Sequence, residues 1–284
     1  SEIETELQWF GELLIDEAKY ENIAEGFQFS LDNGLLIHAR FSDPKIEFNL
    51  SESGYKSIST DPIKIGNQPI LKQVILSIFS EEDDIESEIE LVQSVLDDPT
   101  TVLINHKNRW ERYDLSISKF NTETPQIDQK SQQSIAVKSL LTMINNWKSS
   151  YGELKHEGLF PSYARGYFRG FWAWDSWKHA VALAHFEPEV AKNQVRAMYD
   201  FQNEAGMIAD CVFPDTTIEN HNWRDTKPPL SAWAVWSIYE QTHDKSFMAM
   251  LYPKIVKYHE WWYKNRDHNG NGLCEYGSTD GTEI

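Results

Sequence analysis

Apolar positions change their spacing once along the chain, near residue 85. Before that point they recur at every second residue. Phe27, Phe29 and Leu31 alternate with polar neighbours, the period of a strand with one buried face. Asp32-Asn33-Gly34 supplies turn chemistry leading into a second strand over 35–41. Residues 71–79 form an apolar run rich in β-branched side chains, which reads as a strand buried on both faces. These pieces are too few for a complete domain, so the first 80 or so residues read as the end of a β domain whose earlier strands are missing.

Beyond Ile85 the spacing becomes helical. Residues 85–96 and 102–118 both read as helices, with Pro99 fitting the start of the second. Residues 122–132 are polar, carry Pro125, and read as a linker. Ile135, Leu140, Leu141, Ile144 and Trp147 then share a helical face. After a loop with Gly158, Pro161 and Gly166, a helix through Trp174, Trp177, Val181 and Ala184 ends near Phe186. Pro188 opens the next helix, which is expected to run to Gly206. Thr226 is the expected N-cap ahead of Pro228 and Pro229, opening a helix through Trp233 and Trp236 that is apolar nearly all round and therefore expected to be buried. Phe247, Leu251, Ile255, Tyr258 and Trp262 continue the pattern, with a break or kink expected at Pro253. The fold class is mainly α: stacked helical hairpins after a β segment.

Charge is distributed unevenly. Residues 1–126 hold 25 acidic and 10 basic side chains, a net −15, while residues 127–284 hold 19 and 16, a net −3. Neither half carries the basic footprint that nucleic acid requires, so no nucleic-acid partner is expected. No stretch approaches a membrane span, and no basic-then-apolar leader stands at the start. Cys211 and Cys274 make neither a disulfide framework nor a metal-site spacing. Of the eleven tryptophans, nine lie after residue 140. Indoles beside charged residues suit the C–H face of a sugar ring, although any one of them equally suits a core.

Three loops concentrate the chemistry. The first, residues 166–178, places Arg169, Asp175 and Lys178 among Phe171, Trp172, Trp174 and Trp177. A carboxylate at a helix start walled by indoles can take two sugar hydroxyls; the same pattern also reads as a capping Asp beside core aromatics. The second, residues 222–233, holds Trp223 and Lys227, where Lys227 can donate to hydroxyls or pair with Asp225. The third, residues 267–275, has oxygen side chains at Asp267, Asn269 and Asn271, a glycine at the sixth position and Glu275 at the ninth. With the Leu273 carbonyl these match the front of a calcium loop without its usual closing glutamate. No Gly-x-Ser-x-Gly, paired-His or phosphate-loop motif is present.

The stretches FWAWDSWK (171–178), HFEPEVAKNQVR (185–196), NWRDTKPPLSAW (222–233) and YKNRDHNGNGLCEYG (263–277) resemble glycoside hydrolase family 63, the family of processing α-glucosidase I and its bacterial relatives. The resemblance is good over about 135–284 and looser over 85–118; trehalases share the first stretch and the toroid. It implies the end of a β-sandwich over 1–84, a helical linker over 85–126 and the N-terminal half of a catalytic (α/α)6 toroid over 127–284, acting with inversion on α-linked oligosaccharides or glycosides. In the family Asp175 matches a substrate-binding aspartate. Phe171, Trp172, Trp174, Trp177 and Trp223 become subsite walls, Arg169 and Lys227 polar contacts, and residues 267–275 a structural Ca2+ site. The family's general acid, in a Glu-Ser-Gly-x-Asp motif, and its general base are both expected beyond Ile284. The expected partner is therefore a second polypeptide or a missing C-terminal segment that completes the barrel. The alternatives are a carbohydrate-binding protein without catalysis and a trehalase-like hydrolase. Calcium use and an acidic surface favour a periplasmic or secreted location.

Overall fold

The computed structural model describes residues 3–5, 8–12, 19–31, 34–42, 46–51, 54–59, 63–65, 72–79, 84–118, 128–275 and 277–278. The chain divides into two compact units, Ser1–Arg109 and Trp110–Ile284.

The first unit is built from β1 (Ile3–Thr5), β2 (Phe10–Glu12), β3 (Lys19–Ile23), β4 (Gly26–Ser30), β5 (Leu36–Phe41), β6 (Glu47–Ser51), β7 (Gly54–Ser59), β8 (Ile63–Ile65) and β9 (Val74–Phe79), followed by α1 (Ile85–Asp97). β3, β4, β5 and β9 form one sheet in that order; β2, β7 and β6 form another; β1 pairs with β8. The alternation read from Phe27 and Phe29 is real: both point into a core with Ala39, Phe41, Ile46 and Phe48. The Phe41 and Phe48 rings lie 4.7 Å apart. Asn22 bonds the Phe48 backbone in both directions, through Nδ2 to its carbonyl at 3.0 Å and from its N–H at 3.1 Å. Gly26 is required where β4 crosses β5, because a Cβ there would sit 1.9 Å from the Ala39 carbonyl oxygen.

β9 departs from expectation. It is an edge strand, and Val74, Leu76 and Ile78 are 46%, 68% and 65% exposed. Only Phe79 is buried, edge-on to His38 at 4.8 Å. The core residues of the second sheet gather against β4 and β5 and do not cover this outermost strand. The expected turn at Asp32-Asn33 lies outside the described residues.

Asp84 caps α1 through the Ser87 N–H at 3.3 Å. α2 (Pro99–Ser118) starts at the proline as expected and contains the boundary between the two units. In the second unit, α3 (Gln129–Asn145) begins inside the expected linker and six residues before Ile135, because Asp128 caps it through the Ser131 N–H at 3.0 Å. Residues 122–127 of the expected linker lie outside the described residues. Trp147 falls beyond the helix, in β10 (Trp147–Lys148), which pairs with β11 (Gly158–Leu159). After β12 (Phe171–Trp172) come α4 (Ala173–Leu183) and α5 (Pro188–Tyr199), then β13 (Cys211–Val212), β14 (Asp225–Thr226), α6 (Ser231–Thr242), α7 (Lys245–Arg266) and β15 (Gly277–Ser278).

Alanines 173, 180, 184, 191, 197 and 234 are buried where α4, α5 and α6 meet, so their backbones approach closely around Trp177, Leu183, Met198 and Ile238. Two buried bonds tie the helices together, Gln194 Nε2 to Ser176 Oγ at 2.9 Å and Tyr199 hydroxyl to Ser231 Oγ at 2.8 Å. His243 turns the chain in the left-handed region (φ 55°), and Asp244 then caps α7 through the Phe247 N–H at 3.0 Å.

Three boundary or burial expectations fail here, and of the break or kink expected at Pro253 the break does not occur. α5 stops at Tyr199, and Gly206 (φ 107°) lies in a later turn, where a Cβ would meet the Lys257 carbonyl oxygen at 2.5 Å. Thr226 is not a cap: it sits in β14, paired with Gly277, and α6 begins at Ser231. α6 is not buried all round, since Trp233 and Trp236 are 47% and 52% exposed while Ala234, Val235 and Ile238 are covered. α7 runs unbroken through Pro253; its packed face, Phe247, Leu251, Tyr258, Trp261 and Trp262, spans both sides of the proline.

Candidate functional site

The three loops singled out in the sequence meet through short ladders in the second unit. β12 pairs with β13, Trp172 opposite Cys211, and Cys211 also bridges Asn222. Asp210 completes the junction: its N–H donates to the Asn222 carbonyl at 2.9 Å and its carbonyl accepts from Ala173 N–H at 2.7 Å. The first loop can lie this close to β13 because residue 170 is glycine; a Cβ there would sit 2.2 Å from the Val212 carbonyl oxygen. The second and third loops are joined where Asp225-Thr226 pairs with Gly277-Ser278. Buried Arg266 anchors that junction, donating through Nε to the Glu275 carbonyl at 2.8 Å.

Within this frame the expected residues divide. Trp172, Trp174 and Asp175 are half-buried at the start of α4, with Asp175 in its first turn. Their position suits an anion or a hydroxyl-binding carboxylate favoured by the helix dipole. Trp223 is 36% exposed, and Arg169 is exposed. Phe171 and Trp177, in contrast, are 0% exposed and belong to the core, so they are not subsite walls. Trp174 has one face covered already: the Lys178 ammonium lies 3.9 Å from its ring centroid. One turn beyond Asp175, burial holds the His179 imidazole below its ordinary value despite the opposing pull of the Asp175 charge.

Lys227 faces Asp210, Nζ to Oδ2 3.9 Å, with the two side chains 19% and 2% exposed; the side chain of Asp225, the partner weighed from the sequence, lies outside what the structure describes. Asp210 was not singled out from the sequence. Its one signal there is a lone charge inside the apolar run Met207-Ile-Ala-Asp-Cys-Val-Phe213. Nearby, burial first and the Asp210 charge second push the Tyr258 phenol up to about 12, against a bond from Trp262.

A pocket of about 360 Å3 opens beside the junction, lined by Tyr167, Trp172, Glu219, His221 and Arg224 among others. His221 is held in one tautomer: Nδ1 accepts from the Phe213 N–H at 3.1 Å, so Nε2 carries the proton towards Glu153 Oε2 at 3.1 Å. Bonds from Thr216 and then His221 hold the Glu153 carboxyl below its usual range.

In the third loop the oxygens turn inward on the loop's own backbone. Asp267 accepts from Asn271 N–H and Gly272 N–H, each at 3.0 Å, and Asn271 Oδ1 accepts from Leu273 N–H at 2.8 Å. Asn269 Oδ1 accepts from Asn271 N–H at 3.1 Å, and Glu275 Oε2 from His268 N–H at 3.3 Å. Gly270 and Gly272 adopt φ of 68° and 83°, which lets the loop close. Among the described residues no three His, Cys, Asp or Glu side chains gather as a metal site; the donors here are two acids supplemented by amides and a carbonyl.

Residues 168–284 match the model of the family described as the mannosylglycerate hydrolase MGH1-like glycoside hydrolase domain. Mannosylglycerate hydrolase MGH2 of Selaginella moellendorffii is 30% identical over 135 residues, covering 41% of this chain and 28% of that protein. The mannosylglycerate hydrolase of Thermus thermophilus is 28% identical over 136 residues, covering 41% and 33%. A solved structure of a GH63 mannosylglycerate hydrolase from Thermus thermophilus in complex with glucose is 24% identical with a TM-score of 0.39, covering 49% of this chain and 35% of that one. The match falls on the helical part of the chain, residues 168–284, which is similar to a glycoside hydrolase domain. The chain spans between 28% and 33% of the length of the two curated relatives.

Proposed function

We propose that this chain is part of an inverting α-glycosidase. In this reading the helical unit supplies the N-terminal half of an (α/α)6 barrel, and the general acid and base are supplied outside residues 1–284. The observation that supports the reading is the backbone link between the loops that carry Asp175, Trp172, Trp174, Trp223 and Lys227: Trp172 pairs with Cys211, Cys211 bridges Asn222, and Asp210 bonds both Asn222 and Ala173. Asp175 accepts two hydroxyls of a sugar, an indole covers the ring's C–H face, and Lys227 donates from the opposite loop. These groups bind and orient. Cleavage needs two further carboxylates flanking the bond, with room for water between the base and the anomeric carbon. The relatives' names make mannosylglycerate the first substrate to try, with α-glucosides second.

The same reading assigns Ca2+ to Asp267, Asn269, Asn271, the Leu273 carbonyl and Glu275. The donor set fits: it is all oxygen, carries two negative charges and closes over two left-handed glycines. Bound there, calcium supplies a charge centre that holds the loop beside β15.

The test incubates the protein, with whatever polypeptide co-purifies, with mannosylglycerate and with p-nitrophenyl α-glucoside, following product anomers by NMR. Native mass spectrometry reads the same sample. Inverted product from an assembly heavier than the 33.0 kDa chain is the expected result. Retained configuration sinks the inverting mechanism. Sugar binding without turnover in a lone chain favours the second reading, a carbohydrate-binding protein, and absence of both binding and turnover overturns both.

A further inference from the structure

The pocket of about 360 Å3 beside the junction has no part in the sugar site proposed above, yet the two share a wall. Trp172 lines the pocket and also stands just before Trp174 and Asp175 at the start of α4. The pocket's second ring, Tyr167, lies in the single 3-10 turn Gly166–Phe168 and is 57% exposed. Phe168 spaces the two, 4.3 Å from the Tyr167 ring and edge-on to Trp172 at 5.4 Å. The rest of the rim comes from the stretch 213–224, where Glu219, Asn220 and Arg224 line the pocket and are exposed. That stretch is held in shape by its own bonds. Asp215 Oδ1 accepts from the Thr217 N–H at 2.8 Å. Glu153 clamps it from outside: Oε1 accepts from the Thr216 hydroxyl at 2.5 Å, Oε2 from His221 Nε2 at 3.1 Å, and the Glu153 N–H donates to the Pro214 carbonyl at 2.9 Å. A rim ordered in advance loses less entropy when a ligand binds.

We propose that this pocket is a second sugar subsite next to the one at Asp175, so that the ligand is an α-linked chain of at least two rings. The inference rests on the sugar-binding reading above and adds the size of the ligand to it. The volume suits a small molecule, whose sites run from about 300 to 1,000 Å3. An exposed phenol and a half-buried indole offer apolar faces to the C–H groups of a ring. The polar lining mixes acceptors with donors, a carboxylate at Glu219, a guanidinium at Arg224 and the Asn220 amide, and so matches hydroxyls, which both donate and accept. Glu219 and Arg224 cancel in charge, which leaves the described lining without a net pull on an anion such as phosphate or a free carboxylate. A ring at Asp175 and a ring here both meet Trp172, and that makes the two subsites neighbours.

The experiment compares one ring with two. The full chain, with whatever polypeptide co-purifies, is titrated by calorimetry with methyl α-mannoside and methyl α-glucoside. A panel of α-linked disaccharides of the same sugars and mannosylglycerate follow. At least one disaccharide is expected to bind roughly tenfold tighter than its one-ring counterpart, about 1.4 kcal/mol, the scale of a stacked ring with a hydrogen bond. Y167A and E219A, both at exposed positions where truncation leaves the fold intact, are expected to bring that ratio back to about one. One-ring binding with no gain from any disaccharide overturns the second subsite and leaves the site at Asp175 standing. A gain that survives both variants puts the second ring elsewhere and overturns the assignment to this pocket. Mannosylglycerate bound as tightly as the best disaccharide, and weakened equally by Y167A, makes the pocket a site for an acid and overturns the second ring. Failure to bind any of these ligands overturns the sugar-binding reading and the subsite with it.

Discussion

Trp174 and Trp177 are three residues apart on one helix, yet they do different work. Trp177 is sealed in the core of the second unit, 5.9 Å from the Tyr199 ring, whereas Trp174 is half-buried under Lys178. Truncating the first removes a packed indole from a site that cannot refill, so Trp177→Ala is expected to destabilise by about 3–5 kcal/mol in denaturant unfolding. Trp174→Ala is expected to cost less than about 1 kcal/mol and to weaken sugar binding instead. Equal destabilisation by both would mean that Trp174 is a core residue too. The sequence placed both on one face because helical spacing reports direction and not what stands opposite. Phe171 was expected to be a wall from the resemblance, and its burial depends on Phe160, from an earlier segment of the chain, which packs edge-on to it at 5.2 Å. Asp175 was legible because a carboxylate in a first turn is a local signal. Asp210 was not, because its meaning depends on Lys227, seventeen residues away and brought near only by folding.

Between elements, the join of α5 to α7 rests on a charged clasp. Lys192 Nζ donates to Asp244 Oδ2 at 2.8 Å and to Glu189 Oε1 at 2.7 Å, and Asp244 at the same time caps α7. The bond from Lys192, then those from Ser246 and the Phe247 N–H, hold the Asp244 carboxyl well below the usual range. A carboxyl depressed in the folded state stabilises fully above its unfolded value and loses that contribution as pH falls. The Tm is therefore expected to be insensitive to this group between pH 5 and 7, and to fall progressively once the pH drops below about 4. Asp244→Asn is expected to start from a lower Tm at neutral pH and to show a shallower acid-side decline. Parallel Tm–pH curves for parent and variant would remove Asp244 from the acid response. Periodicity found α1, α2 and α4 to within two or three residues, since each has a one-sided apolar face and a local start signal. The failures lie at ends set by distant partners. α5 stops well short of Gly206, a residue that is glycine because α7 crosses its turn. Thr226 looks like a cap only until β15 pairs with it.

At the scale of the molecule, the acidic surplus and the tryptophans fall in different units, and this makes the two separately observable. Trp9 is the one tryptophan in Ser1–Arg109; the other ten lie in Trp110–Ile284. Fluorescence-detected melting therefore follows the helical unit. If the loop from Asp267 to Glu275 takes calcium, the ion binds the folded helical unit and not the unfolded chain, and it raises stability by mass action. That amounts to about 2.7 kcal/mol at a hundred times the dissociation constant, or roughly 5–10 °C for a unit of this size. Chelator is expected to lower the fluorescence Tm by that amount, and added calcium to restore it. The β unit holds none of the proposed ligands, so its transition, followed by strand-sensitive circular dichroism, is expected to stay where it is. Asp267→Asn, which removes one of the loop's two charges and keeps a side-chain oxygen to accept from Asn271, is expected to abolish most of the calcium shift while leaving the calcium-free Tm nearly unchanged. A Tm that ignores calcium in the parent protein would leave the loop as a turn closed by its own Asp and Asn side chains. A shift of both transitions together would mean that the two units melt as one, and the calcium effect would then belong to the whole chain.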